Sequence, residues 1–154
     1  MVDFLVIGHI SCINYNNIHP LVINGKFSFG WNRVVEFENG MKFGNIRWFS
    51  NISDYYPPPL VLSKRYDDGY KKFDNYDAIN IDRIKDIPGD YIGLIGVPIT
   101  FLDSYNKRQF DIVGFLNNGC RLDENGLQGN NGIQMTLVGG VCKYFRILIK
   151  KKIS

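Results

Sequence analysis

At 154 residues, with 45% hydrophobic and 21% charged content, the chain has the size and balance of one globular domain with a real core. A net charge of +3 permits a polyanionic partner without demanding one. No apolar run reaches membrane-spanning length, the start MVDFLVIGHI lacks the basic region of a signal peptide, and His9 and His19 are too few for a histidine-rich metal centre.

Cys12, Cys120 and Cys142 are scattered without CxxC spacing and read as reduced thiols, not a zinc site or a disulfide framework. The expectation is a cytoplasmic protein with neither a membrane nor a metal among its partners. Ala78 is the only alanine, while Asn, Ile, Tyr and Lys abound. That skew suits an AT-rich genome, so the many asparagines carry no functional signal.

Phe4-Leu5-Val6-Ile7-Gly8 is a continuous apolar run closed by glycine, the pattern of a strand covered on both faces in a parallel sheet. Residues 14–23 predict a short helix interrupted or started near Pro20 and stopped by Asn24-Gly25. Lys26 to Trp31 and Gly44 to Phe49 alternate like strands, with Glu38-Asn39-Gly40 as a turn between them. The opening therefore reads strand–helix–strand–strand. Tyr55-Tyr56-Pro57-Pro58-Pro59 predicts a stiff, extended linker. Residues 1–55 and 56–154 are accordingly read as two segments, with their packing as a single domain left open.

Beyond the linker, strands are predicted at Tyr76–Ile81 and Phe110–Phe115, and a turn at Ile87-Pro88-Gly89-Asp90. Gly139-Gly140, flanked by Ile133–Val138 and Val141–Ile149, is a two-residue hairpin signal. Lys150-Lys151-Lys152 reads as a solvated end. In GVPITFLDSYN, residues 96–106, Pro98 argues against a regular central strand or helix interior. Asp103 follows Thr100 at the spacing of a capping box that would start one turn at Phe101–Tyr105. This makes Asp103 local architecture in preference to a catalytic carboxylate.

Three stretches carry a resemblance: FLVIGHISCINYNNIHPLVINGKFSFG (4–30), GNIRWFSNI (44–52) and FDNYDAINIDRIKDIPGDYIGLIGVPITFLDSYNKRQFDIVGF (73–115). In this order and spacing they resemble the EcoRI-type adenine-specific DNA methyltransferases; after Asn117 the likeness is looser, through KYFRILIKK. The resemblance implies an α/β fold: the C-terminal part of a Rossmann-like class I methyltransferase sheet, then a mostly β, loop-rich DNA-recognition segment. It also implies S-adenosylmethionine as cofactor, double-stranded DNA as partner, and methyl transfer to N6 of a flipped-out adenine. In that family the catalytic Asn/Asp-Pro-Pro-aromatic motif lies just upstream of the strand equivalent to Phe4–Gly8. The cofactor loop and that motif are therefore expected outside these residues, with a separate N-terminal half as a possible partner. Alone, the chain is expected to be inactive and to bind no cofactor tightly. A stand-alone DNA-binding or interaction module, or an inactive gene remnant, is the alternative.

Tyr56-Pro57-Pro58-Pro59-Leu60 does not substitute for the motif: Tyr56 offers no carboxylate or amide to hold an amino group, and Leu60 is not aromatic. Gly126-x-x-Gly129-x-x-Gly132 lies in an Asn/Gly-rich turn before a strand, the wrong context for a phosphate loop. Trp31, Trp48 and Phe49 are aromatics that could stack on a flipped base, with Trp31 and Trp48 as the candidates; they are weighed against core packing, which is favoured for Trp48. Lys64, Arg65, Lys71 and Lys72, interleaved with Tyr66 and Tyr70, are candidates for phosphate contact, as are Lys107, Arg108 and Arg121. Asp67, Asp68 and Asp74 nearly cancel the charge of the first group, so a solvated polar loop is an equal reading. His9, after the first strand, is either at a cofactor edge or a hydrogen-bonded loop residue.

Overall fold

The computed structural model describes residues 2–15, 17–26, 28–33, 36–42, 44–52, 56–116, 121–123, 126–128 and 136–153. Strand β1 (Leu5–His9) leads into a 3₁₀ turn over Ile10–Asn14 and the short helix α1 (His19–Ile23). Pro20 sits in the first turn of α1, where its missing N–H costs nothing; Gly25, at φ +63°, takes the left-handed position after Asn24. Strands β2 (Ser28–Arg33) and β3 (Ile46–Ser50) follow, and Gly40 turns the chain between them at φ +77°.

These three strands form an antiparallel sheet in the order β1-β3-β2. The both-faces-covered parallel strand expected at Phe4–Gly8 is corrected here. β1 is an edge strand, antiparallel to β3 through Leu5↔Ser50 and Ile7↔Trp48, and its apolar side chains are exposed. A continuous apolar run does not distinguish a buried central strand from an edge that awaits a cover.

The second sheet takes β4 (Ala78–Asn80), β5 (Leu94–Pro98), β6 (Phe110–Leu116) and β11 (Arg146–Lys151) in the order β4-β5-β11-β6. Between β6 and β11 lie the hairpins β7 (Arg121–Asp123) with β8 (Gly126–Gln128) and β9 (Leu137–Val138) with β10 (Val141–Cys142). β4 and β5 run parallel; β11 is antiparallel to both β5 and β6. This mixed sheet with few helices fits an α/β methyltransferase-like fold at that coarse level.

Pro98 does not exclude β5 from the sheet interior, contrary to the sequence expectation. It is the last residue of the strand, so its lost donor falls where the ladder ends. The Gly139-Gly140 turn is as expected, with both residues at positive φ (+58° and +73°) and both N–H groups donating to the Asp74 carboxylate. The flanking strands are shorter than predicted, because the chain leaves the hairpin to enter the large sheet as β11. Lys150 and Lys151 belong to that strand and are not a free tail.

Side chains along β11 alternate between the two faces of the sheet, and both faces are buried. Ile147 and Ile149 enter one apolar cluster with Ile95, Val97, Phe101 and Phe110, while Leu148 enters a second with Phe73, Ala78 and Val138. Each such side chain, fully buried, contributes about 1.5–3 kcal/mol. Ile10, Ile13 and Val22 belong to the first cluster, so the 3₁₀ turn and α1 cover one face of the large sheet. The proline stretch is clasped, not loose: Asn106 donates to the Pro57 carbonyl, and the Gln109 amide both accepts from and donates to the Leu60 backbone.

Cys142 is disulfide-bonded, against the reduced thiols expected from spacing, whereas Cys12 is free. Among the described residues no helix is long and apolar enough to cross a membrane, and no group of side chains could hold a metal ion.

Candidate nucleic-acid interface

Asp103 is held by a contact the sequence did not reveal. Arg47, only 1% exposed, donates Nε to Asp103 Oδ1 at 2.6 Å and Nη2 to Oδ2 at 2.8 Å, a two-pronged ion pair. The expected capping box does not form. The 3₁₀ turn Ile99–Ser104 starts after Pro98 with no side-chain cap, which puts Thr100 inside it. Asp103 remains architecture, but it joins the small sheet to the large one instead of starting a helix.

The segment from Lys64 to Phe73 is a seated ribbon. The Lys64 carbonyl accepts from Gly89 N–H at 2.8 Å, Tyr66 N–H donates to Asp90, and Tyr70 Oη donates to the Asp86 carbonyl. Tyr66 packs between Tyr70 and Tyr91, with ring centroids 5.6 and 4.6 Å away. Burial, and then the charges of Asp67, Asp86 and Asp90, push the Tyr70 phenol above its ordinary pKa, so it stays a donor.

Lys64, Arg65, Lys71 and Lys72 are all exposed around this aromatic stack. Only Lys72 approaches a carboxylate among the described residues, Asp77 at 3.8 Å; both partners are exposed, so the pair contributes little. A shallow pocket of about 290 Å³ between Lys64, Arg65, Tyr70 and Asp86 is of mixed sign.

Lys107 and Arg108 diverge. The Lys107 ammonium lies 4.4 Å from the Tyr56 ring centroid and is engaged in a cation–π contact. The nearby Tyr105 phenol is pushed up to about 12, by burial first and then by Asp111 and Tyr56, with Lys107 opposing. Arg108 is exposed and lines an open cleft of about 550 Å³ together with Lys151 and Lys152. The cleft adjoins the ribbon at Gly89, whose N–H donates to Lys64 and whose carbonyl accepts from the Lys151 ammonium. Gly89 thus lines the cleft with Arg108 and is hydrogen-bonded to the backbone of the ribbon at Lys64.

Trp48 is not in that set. Its neighbours Arg47 and Phe49 point inward and are each 1% exposed, while Trp48, half-buried, lies opposite Ile7 on the other face. The core-packing role favoured for Trp48 belongs to Phe49, whose ring covers Gly8 so closely that an added Cβ would meet it at 3.0 Å. Among the described residues no hydrogen bond or ring contact joins Trp48 to the basic ribbon. Trp31 and Arg121 lie on β2 and β7, and their side chains fall outside the described set; so do Gly129 and Gly132. His9 caps the 3₁₀ turn that follows β1, its Nδ1 accepting from Ser11 N–H at 3.1 Å.

Sequence reasoning also missed Arg146. This buried residue donates to Asn80 at 3.0 Å and to Asp82 at 2.7 Å, and Asp82 also pairs with Lys143. Burial works to raise the Asp82 pKa, but hydrogen bonds from Asn80 and Arg146 and the charges of Lys143 and Arg146 outweigh it and hold the carboxyl low. A basic residue entering a four-residue apolar run was the available signal. The cluster is internally satisfied and structural.

The family model described as adenine-specific methyltransferase EcoRI matches residues 31–152. Type II methyltransferase M.MgeORF184P of Mycoplasma genitalium is 34% identical over 97% of this chain and 57% of its own length. Type II methyltransferase M.EcoRI of Escherichia coli is 32% identical over 97% of this chain and 50% of its own length. For type II methyltransferase M.MpnI of Mycoplasma pneumoniae the values are 30%, 97% and 57%. The chain spans about half the length of the curated relatives it matches. No solved structure matches it.

Proposed function

Because the chain belongs to the family of EcoRI-type adenine-specific methyltransferases, we propose that it forms the DNA-facing portion of an enzyme that methylates adenine N6 in duplex DNA. The observation that carries this reading is the family match over residues 31–152, which spans the whole exposed ribbon from Lys64 to Lys72. The ribbon has the chemistry to hold a duplex without reading it, since exposed cations neutralise phosphates. In the finer reading the chain supplies the C-terminal strands of a Rossmann-like class I sheet. The exposed edge of β1 supports this, because its apolar residues would be covered by the remaining part of such an enzyme.

The family implies S-adenosylmethionine, and the described residues do not fit it. Gly8, the glycine closing the first strand, is packed under Phe49 and offers no cradle. No described strand runs through a glycine-rich loop into a helix. Asp82 and Asp103 are spent on Arg146 and Arg47, and neither is placed for ribose hydroxyls. This reading therefore assigns cofactor binding and the in-line positioning of the methyl acceptor to the unmatched part of the family's length. What these residues do is bind DNA and, through Trp31 or Trp48, offer a ring on which a flipped base can stack.

The test is incubation with labelled S-adenosylmethionine and mixed-sequence duplex, alone and with the complementary part of a family enzyme. Methyl incorporation is expected only on complementation; incorporation by these residues alone overturns the assignment. Duplex binding by the chain itself is expected at a Kd of about 10⁻⁴–10⁻⁶ M, falling steeply with salt. Alanine at Lys64, Arg65, Lys71 and Lys72 is expected to flatten that dependence. An unchanged slope removes the ribbon from the interface.

A further inference from the structure

The cleft beside Gly89 collects cations that the sequence left in a solvated tail. β11 carries Lys151 to one wall and Lys152 follows it, while Arg108 reaches the cleft from the turn before β6. Leu60, Leu62 and Ile153 supply apolar surface, and among the described residues no carboxylate lines the cavity. The walls are fixed by neighbouring contacts: the Leu60 backbone is clasped twice by Gln109, and Lys151 is tied to the Gly89 carbonyl. Arg108 has no ion-pair partner among the described residues, and Lys152 meets only the exposed Asp111, at 3.0 Å. A site with three cations, an apolar wall and an open mouth suits a ligand that alternates anionic oxygen with an apolar ring face.

We propose that this cleft is a phosphodiester subsite for one strand of DNA, with Arg108 and Lys152 on a backbone phosphate and the apolar wall against the adjoining deoxyribose. Lys151, held by Gly89, adds charge from below. The subsite rests on the DNA-facing reading above and extends it from the Lys64 ribbon across Gly89 into the cleft. Phosphate contacts of this kind fix register on the duplex and carry no sequence information.

The test is a salt titration of duplex binding by the full chain and three variants. For Arg108→Ala with Lys152→Ala, the slope of log K against log salt is expected to fall by about 0.9 for each phosphate no longer neutralised. Ile153→Asp, at a position 81% exposed and so safe for folding, places a carboxylate in the mouth and is expected to weaken binding. Asp111→Asn frees Lys152 and is expected to tighten binding, a change that a purely structural role would not produce.

If the wild-type chain binds duplex while all three variants keep its affinity and slope, the subsite is wrong and the DNA-facing reading stands. Failure of the wild-type chain to bind duplex at low salt overturns both. Equal displacement of the duplex by poly-glutamate and by single-stranded DNA would show a site that takes any polyanion, and would also overturn the proposal.

Discussion

In the large sheet Arg146 to Ile149 are all buried and β5 and β11 are paired on both edges, whereas in the small sheet Leu5, Val6 and Ile7 are 57%, 47% and 43% exposed along a strand with one open edge. Both sheets are built from similar apolar, β-prone residues. They differ in what has been brought against them: the large sheet is closed by elements from both ends of the chain. The small sheet is anchored on its inner face by Phe49 and the Arg47–Asp103 pair, and left open on the other. Sheet stability and sheet completeness are therefore separate properties in this molecule. The closed sheet holds the fold, and the open one leaves apolar side chains of its edge strand exposed.

The strongest way to break this division is to cut the anchor. Asp103→Ala leaves the Arg47 guanidinium buried without its partner and is expected to cost about 3–5 kcal/mol. Chemical denaturation measures the loss, and amide exchange should accelerate first in β3.

Next in size is a matched pair of truncations. Ile147→Ala, in the closed sheet, is expected to cost about 2–5 kcal/mol. Ile7→Ala, in the open one, should stay within about 0.5 kcal/mol of the parent. Equal costs in urea melts would show that β1 is covered in solution and would abolish the contrast.

Gly96→Ala sharpens the comparison within the closed sheet. A Cβ there would meet the buried Phe73 ring at 2.5 Å, so overpacking of about 1–3 kcal/mol is expected. Phe73→Leu should recover part of it.

The smallest expected effect lies under the helical cover of the large sheet. His19 in α1 stacks on Phe115 of β6 at 4.2 Å, and its Nε2 is buried without a hydrogen-bond partner among the described residues. Burial lowers its pKa, against a hydrogen bond to the Ile13 backbone that raises it. A lowered folded pKa means that the unfolded chain takes up the proton first. The contribution of neutral His19 is therefore whole above the unfolded value of about 6.5 and is lost as pH falls from there towards the folded value. Thermal melts between neutral and mildly acidic pH should show a loss of Tm that His19→Leu removes.

Local chemistry made part of this structure legible in the sequence. Gly139-Gly140, Asn24-Gly25 and Glu38-Asn39-Gly40 announced their turns because positive φ selects glycine at the position itself. The strand read at Phe110–Phe115 is observed one residue longer, as Phe110–Leu116. Long-range partners were hidden. Nothing beside Arg47 signals Asp103, 56 positions away, and nothing in Lys151 or Lys152 signals the wall formed by Leu60. The direction of β1 was misread for the same reason, since an apolar run reports hydrophobicity and not which neighbour it will meet. The candidate site was legible only as a set of cations; the division into the Lys64 ribbon, the engaged Lys107 and the Arg108 cleft came from the fold.

The strand order β4-β5-β11-β6 also has a consequence for how the protein is made. β11 is the middle partner of β5 and β6, yet it follows them by some thirty residues or more in the chain. On the ribosome, which adds about 5–20 residues each second, β5 and β6 emerge with the gap between them unfilled. They stay unjoined until residues 146–151 have cleared the exit tunnel. Nascent chains arrested before that point should present two unsatisfied strand edges and depend on holding chaperones, while release of β11 zips the sheet in one late, cooperative step.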